Sequence, residues 1–79
     1  MSVDQEFVEM IVRTVVMYPD DVVVRRSVDE KGVLIELQVN PADLGRIIGG
    51  QGANINSIRN LLKMVGTKNN SYISLKVLE

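Results

Sequence analysis

A two-layer α+β domain, with three helices on one face of a three-stranded mixed sheet, is the fold this sequence predicts. Two observations carry most of it. Apolar residues recur at helical spacing before Pro19, between Pro41 and Gly49, and between Gly52 and Gly66. Three other segments are rich in β-branched residues or alternate apolar with polar: Val22 to Val28, Val33 to Val39 and Tyr72 to Leu78. Turn residues separate these segments in the order α-β-β-α-α-β. At 79 residues the chain reads as one domain, residues 1–79, able to bury about 60% of its unfolded surface.

Ser2, with Gln5 three residues later, reads as a capping box. Phe7, Ile11 and Val15, with Val8 and Val12 beside them, carry the first helix towards Pro19. Val8, Met10, Val12, Val16 and Met17 cannot all face one sheet, so this helix is either wrapped by its neighbours or part of a dimer contact. Asp20-Asp21 makes a turn. Val22, Val24 and Val28 are expected on one side of the first strand, and Arg25 and Arg26 are expected to offset Asp20, Asp21 and Asp29.

Asp29-Glu30-Lys31-Gly32 reads as a hairpin loop. Val33, Ile35, Leu37 and Val39 then form the inward set of a half-buried strand. Asn40 can cap the next helix, Pro41 fits its first position, and Asp43 suits its first turn. Leu44, Ile47 and Ile48 form the apolar side of this helix, which stops at Gly49. In the third helix Ile55, Ile58, Leu62 and Val65 face the core, and Asn56, Arg59, Asn60 and Lys63 face away. Gly66 is expected to end it, with 67–70 as loop. Ile73, Leu75 and Val77 are the inward set of the last strand. The two-helix crossover is long enough to lay that strand parallel to the central one.

Several function classes are disfavoured. There is no cysteine and no histidine, which removes thiolate metal sites, disulfides and the commonest general base. The acids cluster in turns and exposed helix positions, far in sequence from the glycine-rich run, so no enzyme, metal or cofactor is expected. The start lacks a basic leader and no apolar run approaches a membrane span, so a cytoplasmic protein with no membrane partner is expected. The net charge is -1, but residues 1–43 hold nine acids against four bases, whereas residues 44–78 hold five bases and no acid. A polyanion approaching the second half meets a positive field.

That basic half contains Ile47-Ile48-Gly49-Gly50-Gln51-Gly52-Ala53-Asn54-Ile55, a glycine turn between two apolar helical segments. Gly49 and Gly52 permit backbone conformations a side chain would block. The turn opens into a helix whose first amides are expected to be bare, at the positive end of the dipole, where a phosphate fits. A P-loop needs Lys-Ser or Lys-Thr after its second glycine, and a dinucleotide fingerprint needs a preceding strand; neither condition is met. A helix–Gly-x-x-Gly–helix clamp for a single-stranded backbone remains.

With Ile47, Ile48, Gly49, Gly52 and Ile55 matching Val/Ile-Ile-Gly-x-x-Gly-x-x-Ile, the chain resembles the KH domain family. Its element order is similar to the bacterial, type II, KH fold over the whole length. The resemblance implies a module that binds single-stranded RNA. Four nucleotides would lie across Gly49, Gly50, Gln51 and Gly52, with phosphates near Ala53 and Asn54. Bases would rest in an aliphatic groove of Leu44, Ile47, Ile48, Ile55 and the sheet edge, with the hairpin loop as the opposite lip. Arg46 and Arg59 are the expected phosphate-facing charges, Lys63 being more peripheral. Tyr72 is the one aromatic placed where a base might stack. Many relatives carry Lys or Arg in the loop where this chain has Gly50 and Gln51, so weak, modestly salt-sensitive binding is expected.

By the same resemblance the role is post-transcriptional regulation or RNA chaperoning linked to cell elongation, division and shape. The partner is a second copy or a larger KH-containing protein of the Jag type. The alternative is a protein-interaction or dimerisation module whose RNA binding is weak or lost.

Overall fold

The computed structural model describes residues 2–79. Helix α1 (Val3–Val15) leads through a short 3₁₀ turn (Pro19–Asp21) to the hairpin of β1 (Val23–Asp29) and β2 (Gly32–Gln38). Helix α2 (Pro41–Ile48), a second 3₁₀ turn (Gly50–Gly52) and helix α3 (Ala53–Lys68) then lead to β3 (Ile73–Val77). The sheet order is β1-β2-β3, with β1 antiparallel and β3 parallel to β2. This is the α+β architecture the sequence predicts, three helices with a three-stranded mixed sheet.

The core lies between the layers. Val8 and Val12 of α1, Ile35 and Leu37 of β2, Ile47 of α2 and Leu62 of α3 have at most 1% of their surface exposed. β2 is central, and its pleat sends Val33, Ile35 and Leu37 inward while Glu36 and Gln38 point to the other face.

The start of α1 differs from the capping box. The Ser2 side chain makes no cap bond, and its buried hydroxyl meets the distance and angle of a hydrogen bond with none of the described residues. The Gln5 side chain instead donates to Val24 O of β1 at 3.1 Å, so it cannot reach back to Ser2. Asp4 takes the local role: its Oδ1 accepts the Gln5 N–H at 2.7 Å and Arg26 Nε at 3.0 Å. Arg26 therefore pairs with Asp4 rather than with Asp20, Asp21 or Asp29.

Arg26 and Val28 lie opposite Ile35 and Val33, on the helix side of the sheet. Val24 and Val28 share that side as expected, but among the described residues α1 begins near Arg26, and Val28 beyond it is exposed. Helix α1 also ends at Val15, short of Pro19. The Met17 and Tyr18 amides, which a continued helix would give to its own carbonyls, are bound by the Asp43 carboxylate.

Gly66 does not end α3; the helix runs through it to Lys68. Its role is close approach, since a Cβ there would lie 2.6 Å from Ser71 O as the chain turns back into β3. The stop comes from Asn69, whose side chain donates to Val65 O at 2.8 Å, and from Asn70 at φ 55.

Candidate nucleic-acid interface

Two glycines and one glutamine in left-handed conformations build the turn between α2 and α3. Gly49 (φ 76, ψ 171) ends α2 in a region only glycine enters easily, and Gly52 (φ 77, ψ 16) opens α3. Gln51 is at φ 56, a conformation costing a non-glycine residue about 1 kcal/mol or more. A side chain at Gly49 would meet Asn54, which is held by donating its Nδ2 to Arg46 O at 2.7 Å.

The turn satisfies more of its amides than the sequence suggests. Gly49 N–H donates to Gly45 O at 2.8 Å, Gly52 N–H to Gly49 O at 3.1 Å, and Ala53 N–H to Gly50 O. A 3₁₀ turn bonds from its third residue onward, so the amides of Gly50 and Gln51, its first two, have no acceptor within it. Both residues are exposed. The bonded Gly52 and Ala53 amides are thus removed from the anchoring set, and the Gly50 and Gln51 amides stay in it.

From the turn a groove runs between α3 and the free edge of β3. Its near part is lined by Ile48, Gly52, Ile55, Val77, Lys76 and Glu79. Its far part passes Asn60, Lys63 and Thr67 to Ser71, Tyr72 and Ile73, with a volume of about 430 Å³. Asn56 and Arg59 border both parts. Arg59 bridges helix and strand: Nε and Nη2 each donate to Leu75 O at 3.2 Å, and Nη1 donates to Asn56 Oδ1 at 3.1 Å. Three of its five N–H groups are thus used, and its charge stays in the groove. The groove combines buried aliphatic residues, Ile55 and Leu75, with the cations Arg59, Lys63 and Lys76. That combination suits apolar faces joined by anions.

The predicted residues divide between two sides of the turn. Ile48, Gly52, Ile55 and Arg59 border the groove, with Gly49, Gly50, Gln51 and Ala53 in or beside the turn. Arg46, Ile47 and Asn54 line a different, apolar recess on the helical face with Ile11, Val15 and Ile58. Arg46 and Arg59 therefore do not converge. Arg46 and Ile48, two apart on α2, point to different sides, as helical geometry requires.

Leu44 packs against the core instead of lining the groove. The far lip is the α3–β3 connection at Ser71 and Tyr72, not the hairpin loop, which borders a separate recess beyond Tyr72. Tyr72 and an unspecified sheet edge apart, Lys76, Val77 and the rest of the Ser71–Leu75 segment escape sequence reading as groove residues. A usable signal was present, because a last strand beside β2 must leave its other edge free next to α3. Among the described residues no group of acids is placed to hold a metal, and no helix is long and apolar enough to cross a membrane.

The family model described as KhpA/KhpB, KH domain, matches residues 5–77. The RNA-binding protein KhpA of Aquifex aeolicus is 38% identical over 79 residues, covering 100% of both chains. That of Listeria monocytogenes is 36% identical over 75 residues, 95% of this chain and 99% of the relative. That of Clostridium perfringens is 34% identical over 74 residues, 94% and 99% of the two chains. No solved structure gives a significant match.

Proposed function

The chain belongs to the KhpA/KhpB KH-domain family, and from that premise we propose that it binds single-stranded RNA along the groove between α3 and β3. The carrying observation is the continuity of that groove with the glycine turn: Gly52 and Ile48 border it directly, and Arg59 stands midway along it. The Gly50 and Gln51 amides meet a phosphate where no side chain intervenes. Ile48, Ile55 and Leu75 supply the apolar surface for bases, and Arg59, Lys63 and Lys76 offset the backbone charge. Relatives named as RNA-binding proteins over nearly the full length support this reading.

The test is RNA crosslinking of the Gly50→Asp/Gln51→Asp double variant. A Cβ at Gly50 meets nothing within 4 Å, and Asp tolerates the left-handed conformation of Gln51. Two acidic groups then face the phosphate while the core stays intact. Crosslinking should fall sharply, and crosslinking equal to that of the unaltered chain rejects the reading.

A second reading has its own observation. Val3 and Met10 of α1 and Leu61 and Met64 of α3 are between 44% and 69% exposed on the helical layer. We propose that this face supports association with a second copy or another KH protein. Sedimentation of a Met10→Glu/Met64→Glu variant tests it; an unchanged mass distribution removes the idea.

A further inference from the structure

The groove ends on an aromatic ring whose backbone is fixed and whose side chain is not covered. Tyr72 is 69% exposed. Its carbonyl accepts Val33 N–H at 2.7 Å, and the preceding Ser71 N–H donates to Gly66 O at 2.8 Å. Gly32 lets the hairpin come this close, since a Cβ there would lie 2.3 Å from Tyr72 O. Tyr72 also borders the next recess, with Asp29, Lys31 and Leu34.

From Gly52 to Thr67 the groove follows α3 for about 22 Å. A Gly-x-x-Gly loop clamps about four nucleotides. We propose that Tyr72 stacks a base of an RNA strand that continues past the clamp, so the binding track extends to the α3–β3 connection. This rests on the RNA-binding reading above. The placement meets the physical requirements. A ring with two side-chain torsions loses little entropy on ordering, and its backbone is already fixed. Stacking accepts any base, and the loss of one such platform weakens binding about five-fold or more. Lys63 on one side of Tyr72 and Lys31 on the other carry the charge that flanking phosphates need.

Tyrosine fluorescence tests this, because the chain has no tryptophan and only two tyrosines. In a Tyr18→Phe background Tyr72 is the reporter. The probes are oligouridylates of about four nucleotides, the clamp length, and of about twice that length. The longer probe should quench the ring and bind about five-fold or more tighter than the shorter one. Tyr72→Leu should abolish that gain and Tyr72→Phe should keep it. The shorter probe does not reach Tyr72, so its affinity and its slope of log K against log salt should match the unaltered chain in both variants.

A length gain that survives Tyr72→Leu, or a ring signal unmoved at saturating RNA, overturns the proposal. A loss of affinity for the shorter probe in Tyr72→Leu also overturns it, by showing that the residue acts within the clamp or on the fold rather than beyond it. If labelled probes of neither length bind the unaltered chain by anisotropy, the RNA-binding reading itself falls.

Discussion

The side chain of Asn54 occupies the space beside Gly49 that any other residue would need for its Cβ: Asn54 Cγ lies 2.7 Å from that position. Asn54 cannot easily retreat, because its Nδ2 holds Arg46 O at the end of α2. Gly49 is thus fixed twice over, by its φ of 76 and by its neighbour. Gly52 is fixed by φ alone, since its nearest neighbour to a Cβ is 3.5 Å away.

Gly49→Ala should therefore destabilise the protein by about 2–3 kcal/mol and Gly52→Ala by about 1 kcal/mol, from strain with and without a clash. Urea midpoints measure both. Equal losses would show that Asn54 moves aside freely.

Gly50 is the free position of the turn, with nothing within 4 Å of a Cβ and no left-handed φ. Gly50→Lys should leave stability within about 0.5 kcal/mol. It should tighten RNA binding at low salt and steepen the salt slope by about 0.7, the value for one added phosphate contact on a single strand. Anisotropy titrations over a salt series read both.

Asp43 is 1% exposed and binds Met17 N–H at 2.9 Å and Tyr18 N–H at 3.0 Å. Asp43→Ala empties a buried carboxylate site and leaves the Met17 and Tyr18 amides without their partner where α1 gives way to the sheet. The expected loss is roughly 2–3 kcal/mol, visible as a lower melting temperature. A helix-start role alone, lost with the charge, is worth about 0.3–1 kcal/mol, so the size of the loss separates the two.

Burial works against the charged form of Asp4, but hydrogen bonds from Arg26 and the Gln5 amide outweigh it and hold its carboxyl below the ordinary value of 3.8. A group depressed in the folded state stabilises above its unfolded value and loses that contribution as pH falls through the folded one. The stability gap between the unaltered chain and Asp4→Asn should be full at neutral pH and shrink below about pH 4. Denaturant curves at neutral and acidic pH check the sign; a gap that widens on acidification would contradict it.

Where an inference needed only neighbours along the chain, the sequence carried it well. The alternation of Val33, Ile35 and Leu37, the Asn40-Pro41 helix start and the Ile55–Ile58–Leu62 stripe all have the predicted environment. Asn40 Oδ1 accepts the Ala42 N–H at 2.8 Å, a bond between residues two apart. The errors arise where a distant group competes. Gln5 left its capping box for Val24 O, and α1 stopped early because Asp43 takes its next amides. Gly66 looked like a stop but is the place where Ser71 approaches.

The glycine turn divides the same way. That a tight, side-chain-poor bend joins two apolar helices is written in Ile48-Gly49-Gly50-Gln51-Gly52, because glycine spacing and helical periodicity are local properties of the chain. Which amides stay open, that Arg46 and Arg59 fall on opposite sides, and that the groove runs to Tyr72 were decided by packing. Those depend on where β3 lies against α3, and contacts between segments that distant leave no periodic trace in sequence.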